Sequence, residues 1–304
     1  MRIVISGGSG FLGRALTSAL RAGGHKVIVL TRRPAGEGEL LWSAETSGGA
    51  WAAAVQAADV VINLAGEGIA DRRWSPARKD AILRSRVQAT RAIANVLRDA
   101  VRPAVFVSGS AIGIYGDRGD DIITEADPAG SDFLSRVCVA WEAEANAVAD
   151  VTRVVLLRTG IVLAADGGAL PQMALPFRLF AGGRVGSGRQ FVSWIHRDDW
   201  IAMVIWAMER TTVTGPFNLT APEPVRNSEL ARELGTAMGR PSFVPAPAFA
   251  LRLVLGELAD TALLSSQRVK PAVAMAGGFM FRYPALHEAL RSIYGAASGR
   301  RPRE

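Results

Sequence analysis

The first half of the chain alternates between short runs of β-branched residues and longer stretches with helical periodicity. This alternation is typical of a parallel β-sheet covered by helices on both faces. The predicted strands are Arg2–Ser6, Lys26–Thr31, Val60–Leu64, Ala104–Ser108 and Arg153–Arg158, with a further short strand at Leu40–Trp42. The predicted helices between them are Phe11–Ala22, Pro76–Arg98 and Asp132–Ala149.

After Gly160 the pattern becomes irregular and is interrupted by glycine pairs. A helix at Arg197–Glu209 and a strand at Pro216–Thr220 are expected to return to the sheet, and the tail from Pro222 onward is predicted to be mostly helical. We therefore predict an α/β fold, a doubly wound parallel sheet with a smaller, mostly helical C-terminal lobe. The predicted first domain covers residues 1–165 and is rejoined by 196–221, whereas 166–195 and 222–304 form the lobe.

The first strand leads directly into a glycine-rich turn with the spacing Gly7-x-x-Gly10-x-x-Gly13. Gly7 allows a tight turn, Gly10 lets the backbone approach a pyrophosphate, and Gly13 lets the next helix pack closely on the sheet. Because a strand precedes the turn and a helix follows it, the pattern predicts a Rossmann-type dinucleotide-binding domain. Further contacts to the phosphates are expected from the turn and the first turn of the helix, at Ser9, Phe11 and Leu12.

The end of the second strand predicts which dinucleotide is bound. Domains that bind NAD carry an acidic residue there for the ribose 2′-hydroxyl, but this chain has Thr31-Arg32-Arg33. A guanidinium favours a 2′-phosphate through charge-assisted hydrogen bonds. We therefore expect NADP, with Thr31, Arg32 and Arg33 beside its 2′-phosphate. The alternative is that the two arginines are exposed loop residues.

Several further stretches carry a family resemblance. The glycine turn, Asn63-Leu64-Ala65-Gly66 and Val107-Ser108-Gly109-Ser110-Ala111 resemble the extended short-chain dehydrogenase/reductases, which include sugar-nucleotide epimerases. Trp194-Ile195-His196-Arg197-Asp198-Asp199 and Ser266-Gln267-Arg268-Val269 are similar to the atypical branch called the epimerase family, which has a characteristic C-terminal segment.

The resemblance implies additional contacts to the cofactor, at Leu64, Ala65, Gly66, Arg86, Ser108 and Val162. For Leu64, Ala65 and Val162 the alternative is packing at the end of a strand. For Arg86 the alternative is a position on a solvated helix face.

The resemblance fails at the catalytic pair. Members of the superfamily use a tyrosine as acid/base and a lysine four residues later, whose charge lowers the pKa of the phenol. Four residues after the three tyrosines of this chain come Gly119, His287 and Ser298. Alignment on Trp141-Glu142 places Leu134 and Cys138 in the two positions, and neither side chain supplies this chemistry.

Other residues are candidates for the chemistry. Ser110 occupies the position of the superfamily's catalytic serine, and Tyr115 follows it in a loop; the alternatives are a hydroxyl satisfied at the strand end and an aromatic ring packed under the loop. Glu67 is a candidate proton acceptor if it is partly buried. Candidate contacts to the substrate are Glu67, Arg189, Gln190 and His196, although for His196 a structural role before a helix is the alternative.

Composition excludes several other classes of protein. The net charge is +7, but the arginines are scattered, so we do not expect nucleic-acid binding. No apolar run approaches the ~20 residues that span a bilayer, and no secretion signal is apparent, which predicts a cytoplasmic protein. A single cysteine, Cys138, and three histidines give no spacing typical of a metal site.

These observations predict an NADP-binding, epimerase-like oxidoreductase that lacks the Tyr-x-x-x-Lys pair. Its substrate is expected to be a small molecule, and a nucleotide sugar is indicated by analogy of fold alone. The alternative is a non-catalytic NADP-binding sensor or partner-binding protein. The oligomeric state is left open, although a homodimer is considered because many relatives of this fold pair through long helices.

Overall fold

The computed structural model describes residues 1–46, 48–100 and 103–295. The strands are β1 (Arg2–Ser6), β2 (Lys26–Thr31), β3 (Glu39–Leu41), β4 (Val60–Asn63), β5 (Val105–Ala111), β6 (Ile122–Ile123), β7 (Arg153–Thr159), β8 (Ile161–Leu163), β9 (Phe191–Val192), β10 (Trp194–His196), β11 (Gly215–Leu219), β12 (Val225–Arg226) and β13 (Arg268–Val269). The helices are α1 (Phe11–Ala22), α2 (Ala50–Ala57), α3 (Pro76–Arg98), α4 (Phe133–Asn146), α5 (Leu170–Arg178), α6 (Arg197–Glu209), α7 (Asn227–Met238), α8 (Ala248–Leu255), α9 (Ala272–Ala276) and α10 (Leu286–Tyr294).

A seven-stranded sheet has the order β11-β7-β5-β4-β1-β2-β3. β1 pairs in parallel with β2 on one side and β4 on the other, and β2–β3 and β4–β5 are also parallel. The strand order therefore reverses at β1. The connection after β1 leads to β2 on one side and the connection after β4 leads to β5 on the other, which creates a topological switch point at the carboxyl ends of β1 and β4. The prediction of a Rossmann-type, doubly wound α/β fold is confirmed.

The central strands lie between helices because their residues are apolar on both faces. Val60, Val61 and Ile62 of β4 are buried, as are Ile3, Val4 and Ile5 of β1. Such continuous apolar runs are typical of parallel strands that are covered on both sides. Helix α1 packs here through Gly13, Leu16, Thr17 and Leu20, its buried positions.

The chain divides into two compact units. Unit 1 consists of Met1–Ile114, Phe133–Arg158 and Ile201–Phe217, and unit 2 of Tyr115–Asp132, Thr159–Trp200 and the described residues from Asn218 onward. Residues 115–132, which the sequence-based division assigns to the first domain, group with unit 2. In that unit β6 pairs with β13, and the backbone N–H of Ser266 donates to Asp117 Oδ1 at 3.1 Å. The paired segments lie more than 140 residues apart in sequence, so no local pattern predicts their pairing.

Unit 2 is built mainly from helices and two-stranded pairs. β8 pairs in parallel with β10, and β9 pairs antiparallel with β12. A core of buried side chains joins the short strands to α7 and α10, and it includes Trp194, Leu230, Leu234, Leu286 and Leu290. The predicted helical C-terminal lobe is therefore present, and residues 296–304 of that prediction lie outside the described residues.

Two helices were not predicted. α2 is short and almost entirely apolar, so its sequence shows no amphipathic period, and Trp51, Ala52 and Val55 are buried. α5 lies where the glycine-rich pattern indicates a loop; it contains Pro171 at its start and Pro176 inside the helix, and an internal proline normally argues against a helix. No helix within the described residues is long and apolar enough to cross a bilayer.

Candidate functional site

A cleft of about 1140 Å³ lies in unit 1 at the carboxyl ends of β1, β2 and β4. It brings together three segments that are distant in sequence: the glycine turn, the end of β2 and the loop after β4. The predicted cofactor residues that line it are Gly7, Ser9, Gly10, Thr31, Arg32, Arg33, Leu64, Ala65 and Gly66, and Glu67 lines it as well. Another wall of the cleft, which no sequence pattern indicates, includes Trp42, Ser43, Glu45 and Gln88.

The glycine turn is closed so tightly that two of its positions exclude a side chain. Gly7 has φ +73°, and a Cβ atom there would lie 2.6 Å from the carbonyl carbon of Leu64. A Cβ atom on Gly13 would lie 2.1 Å from the carbonyl oxygen of Gly7. The turn is therefore pressed against both the start of α1 and the loop after β4.

The start of α1 fits an anion. Its N-cap residue is Gly10, which offers no side-chain hydrogen bond to the first N–H groups of the helix. These N–H groups and the helix dipole favour a negatively charged group at this end. Phe11, Leu12 and Gly13 contribute backbone to this start and do not line the cleft. The geometry fits the pyrophosphate of a dinucleotide.

A buried hydrogen-bond network fixes the loop after β4. Ser6 Oγ donates to Asn63 Oδ1 at 2.6 Å, and Asn63 Nδ2 donates to Thr90 Oγ1 at 2.8 Å. The backbone N–H of Ala65 also donates to Asn63 Oδ1, at 3.2 Å. The amide of Asn63 therefore positions the loop that forms one wall of the cleft. The motif at Asn63 is visible in the sequence, but its partners Ser6 and Thr90 are not.

The end of β2 presents two positive charges to the cleft. The backbone N–H of Arg33 donates to Thr31 Oγ1 at 3.3 Å, which shapes the turn after the strand. Arg32 and Arg33 are exposed, and neither guanidinium has an ion-pair partner among the described residues. Both charges are therefore available to an anionic ligand.

Arg86 donates hydrogen bonds to the loop after β4 and does not line the cleft. Its guanidinium donates to the carbonyl oxygens of Glu67 at 2.9 Å and Ile82 at 3.0 Å, and it lies 5.2 Å from the ring centre of Trp141. Burial lowers the pKa of Arg86. A Cβ atom at Gly66 would lie 3.2 Å from the Arg86 side chain. Arg86 is therefore not on a solvated helix face; it braces Gly66 and Glu67.

Glu67 lies at the rim of the cleft as an exposed ion pair. Its carboxylate pairs with Arg78, which also donates to the carbonyl oxygen of Gly68. The Glu67 side chain is 46% exposed. The burial required for a proton acceptor is therefore not present.

Ser110 belongs to a buried polar network in unit 1. Its Oγ donates to Glu142 Oε1 at 2.6 Å, and Arg158 donates to both oxygens of Glu142 at 2.9 Å. All three side chains are buried. Because the proton of Ser110 is engaged by Glu142, the oxygen of Ser110 keeps only its capacity to accept a hydrogen bond. This geometry favours the alternative in which Ser110 is a structural residue, with its hydroxyl hydrogen-bonded at the end of the strand, over a catalytic serine.

The positions of the missing catalytic pair lie beside this network. Leu134 packs near Gly113, where an added Cβ atom would lie 3.4 Å from that of Leu134. Burial and the charge of Glu142 raise the pKa of Cys138 to about 12, so the thiol stays protonated at neutral pH. Ser108 is also buried, and its Oγ lies 3.4 Å from the carbonyl oxygen of Gly109.

Tyr115 and Val162 lie in unit 2. Tyr115 is completely buried, and its hydroxyl donates to Asn218 Oδ1 at 2.7 Å. Asn218 is fixed in turn because its Nδ2 donates to the carbonyl oxygen of Lys270 at 3.0 Å. Val162 is buried in β8, where it pairs with Ile195. The surroundings of Tyr115 favour the packed aromatic ring over a catalytic phenol.

The candidate substrate contacts of unit 2 differ in their accessibility. Gln190 is buried, and its Nε2 donates to the carbonyl oxygens of Val185 and Leu263 at 3.0 Å. His196 accepts from the backbone N–H of Asp198 at 3.1 Å, and burial lowers its pKa. Both residues therefore have structural partners, whereas Arg189 is exposed.

The structure groups the candidate substrate contact Arg189 with two further arginines of unit 2, Arg226 and Arg268. The guanidinium carbons of Arg226 and Arg268 lie 4.0 Å and 4.7 Å from the ring centre of Phe191. Arg226 donates to the two oxygens of Asp120 at 2.8 Å and 2.9 Å, which lowers the pKa of Asp120. With Arg189, three cations face one carboxylate. The strand pairing of Phe191 with Arg226 forms this cluster, and no spacing in the sequence indicates it.

Comparisons with known proteins cover almost the whole chain. The model of the NAD dependent epimerase/dehydratase family matches residues 3–219, and that of a domain of unknown function, DUF1731, matches residues 246–293. The chloroplastic homolog of epimerase family protein SDR39U1 from Arabidopsis thaliana is 40% identical over 303 residues, with 96% of this chain and 86% of that protein covered.

Solved structures agree with these matches. The crystal structure of human epimerase family protein SDR39U1 (isoform 2) with NADPH is 36% identical, with a TM-score of 0.90 over 97% of this chain and 99% of that chain. UDP-N-acetylglucosamine 4-epimerase from Bacillus cereus is 17% identical, with a TM-score of 0.75 over 98% of this chain and 100% of that chain. At this lower identity the second comparison shows a shared fold alone.

Proposed function

We propose that this chain binds NADP in the cleft of unit 1 and acts as an epimerase-like oxidoreductase. The chain belongs to the NAD dependent epimerase/dehydratase family and to its atypical short-chain dehydrogenase/reductase branch. One observation carries the proposal: the tightly closed glycine turn and the exposed arginines Arg32 and Arg33 line the same cleft. The human relative that was solved with NADPH supports the same cofactor.

The residues of the cleft would hold the cofactor in distinct ways. The turn from Gly7 to Gly13 and the first N–H groups of α1 would bind the pyrophosphate, and Arg32 and Arg33 would bind the 2′-phosphate. Leu64 and Ala65 would contact the adenosine side, on a loop held by Asn63. When bound, NADP supplies hydride transfer, and the protein supplies binding and orientation.

The residues near the predicted chemistry restrict how a proton is moved. Ser110 accepts hydrogen bonds but does not offer its own proton, since Glu142 engages it at 2.6 Å. Cys138 stays a neutral thiol. We therefore propose that the substrate itself or water supplies the exchangeable proton.

We further propose a nucleotide sugar as the substrate. The arginine cluster of unit 2 is formed by Arg189, Arg226 and Arg268 around Phe191. It supports an anionic substrate because its three positive charges outnumber the one negative charge of Asp120. The fold shared with an epimerase named for a nucleotide sugar points in the same direction, by analogy.

A second candidate function is NADP binding without turnover, as a sensor or partner-binding protein. It is favoured by the hydroxyls of Ser110 and Tyr115, which both donate to buried carboxylate or amide oxygens. Single-turnover assays with bound NADPH and a panel of oxidised nucleotide sugars separate the two functions. Loss of the nicotinamide absorbance with a defined product supports the enzyme, and stable bound NADPH with every compound supports the sensor.

Arg32→Asp is expected to raise the Kd for NADPH roughly 10–100-fold, because a charge-assisted hydrogen bond contributes about 1.5–3 kcal/mol. The Kd for NADH is expected to stay the same or to fall, since NADH carries no 2′-phosphate and an aspartate at the end of β2 can accept from its ribose 2′-hydroxyl. Titration followed by nicotinamide fluorescence measures both constants. Arg291→Asp, an exposed position on α10, is the control for the same change in net charge. An equal loss for both nucleotides would contradict the assignment of Arg32.

A further inference from the structure

Unit 2 exposes several large apolar side chains to solvent, and six of them are at least 58% exposed and lie on neighbouring segments of the chain. We call them the apolar face: Leu179, Phe180, Phe243, Phe249, Leu253 and Val254. Their exposed fractions run from 58% for Phe180 to 78% for Phe243. Three of them lie on α8, whose residues Ala248–Leu255 include no buried side chain. A helix with this sequence normally packs its apolar side chains against another surface.

The segments that carry these residues are neighbours in unit 2. The backbone N–H of Val244 donates to the carbonyl oxygen of Gly182 at 2.9 Å, and the backbone N–H of Ala246 donates to the carbonyl oxygen of Arg184 at 2.8 Å. The stretch after α5 therefore runs beside the stretch before α8. Leu179 and Phe180 come from the first, Phe243 from the second, and α8 follows directly. The six side chains thus arise from adjoining backbone.

Phe180 is held outward in an unfavourable backbone conformation. With φ +58°, it is the one non-glycine residue among the described residues that has a positive φ. It follows the end of α5, a place where glycine is strongly preferred because it has no Cβ atom. The guanidinium carbon of Arg240 lies 4.4 Å from the ring centre of Phe180. An exposed aromatic ring therefore occurs where glycine would remove the backbone strain.

The apolar face has the size of a protein interface. Three of the six are phenylalanines, each of which offers roughly 150–250 Å² when uncovered, and together with the two leucines and the valine the exposed fractions amount to on the order of 700 Å². The largest apolar patch of an ordinary monomer measures about 300–600 Å². A standard interface buries about 800 Å² on each partner. Two copies of this face would therefore bury enough area for a stable dimer.

Charge distinguishes a second copy from an anionic lipid surface. Arg252 is the basic residue of α8, and its Nε donates to Asp260 Oδ1 at 2.9 Å. Because Asp260 neutralises the charge of Arg252 within the chain, α8 does not present a free positive charge to lipid headgroups. For the same reason Arg252 does not repel the α8 helix of another copy. Arg240 adds one positive charge beside Phe180, and a mainly apolar surface with few charges is typical of homodimer interfaces.

The long helices of unit 1 offer a poorer surface for pairing. The exposed positions along the outer side of α3 are polar or charged: Arg84, Gln88, Arg91, Asn95 and Arg98. On α4 the exposed large apolar side chain is Val139. These helices therefore lack the apolar area that the apolar face has.

We infer that the apolar face is the interface of a homodimer, in which α8 of one copy packs against the apolar face of a second copy about a two-fold axis. This inference concerns assembly and stands independently of the cofactor. Light scattering after size exclusion is expected to give twice the 32.2 kDa of one chain. Phe249→Asp and, separately, Phe243→Asp are expected to weaken dimerisation at least tenfold.

Val139→Asp is the matched control, because it places the same charge on an exposed apolar position of α4. It is expected to leave the dimer intact. Circular dichroism of each variant shows whether it is folded. A wild-type protein that is monomeric over a 100-fold range of concentration would overturn the inference. A dimer that dissociates in Val139→Asp but not in Phe249→Asp or Phe243→Asp would overturn it as well.

A cross-linking experiment tests the interface without relying on disruptive substitutions. Cys138 is buried, so Phe249→Cys provides one accessible thiol per chain. A short bismaleimide is expected to join two such chains, whereas Val139→Cys chains stay unjoined. The opposite pattern would overturn the inference. Co-sedimentation of the monomer with phosphatidylserine vesicles, without self-association, would overturn it as well, because the occupant would then be a lipid surface.

Discussion

Arg158→Leu is expected to lower the free energy of unfolding by about 3–5 kcal/mol, because it removes one partner of a buried ion pair. Glu142 would stay buried but lose the two hydrogen bonds that Arg158 donates to its carboxylate oxygens at 2.9 Å. Leucine is apolar and cannot replace either hydrogen bond. Equilibrium unfolding in urea, followed by circular dichroism, measures the change.

An exposed pair on the same unit provides the control. Arg98 and Asp150 lie 3.4 Å apart, with 49% and 67% of their side chains exposed, so Arg98→Leu is expected to cost only about 0–1 kcal/mol. Adding Glu142→Leu to Arg158→Leu is expected to restore part of the stability, since the uncompensated charge is removed. Equal costs for Arg158→Leu and Arg98→Leu would show that the buried network does not stabilise unit 1.

Gly13→Ala is expected to weaken NADPH binding by at least a hundredfold, or about 2.7 kcal/mol. The added Cβ atom would lie 2.1 Å from the carbonyl oxygen of Gly7 and 2.7 Å from the Cα atom of Gly8. Both contacts are to backbone, so the turn itself must move. The turn would then no longer present its N–H groups to a pyrophosphate. Fluorescence titration with NADPH measures the loss.

Gly36→Ala is the control for this substitution. No atom lies within 4 Å of a Cβ atom at Gly36, and the residue does not line the cleft. It is expected to bind NADPH as the wild type does. A folded Gly13→Ala protein whose Kd for NADPH stays within threefold of the wild-type value would show that the glycine turn does not hold the cofactor.

The sheet and the glycine turn could be predicted because their signals are local. The apolar runs of β1 and β4, and the spacing of Gly7, Gly10 and Gly13, lie within short stretches of sequence. The end of β2 follows from the same pattern, so the sequence alone is enough to name Arg32 and Arg33 as candidates for a 2′-phosphate site. Each of these features depends on residues near one another along the chain.

The partners of the candidate catalytic residues could not be predicted, because they are set by tertiary structure. Ser110 lies 32 residues from Glu142, and Tyr115 lies 103 residues from Asn218. A sequence shows each hydroxyl but not the acceptor that engages it. For the same reason the pairing of β6 with β13 placed residues 115–132 in unit 2 against the sequence-based division.

The most direct test of the central claim is a titration of the unmodified protein with NADPH and, separately, with NADH. We predict that NADPH binds at least tenfold more tightly, since only NADPH offers a 2′-phosphate to Arg32 and Arg33. Equal affinities would contradict the assignment of NADP, and the absence of binding by either nucleotide would contradict the assignment of the cleft as a cofactor site.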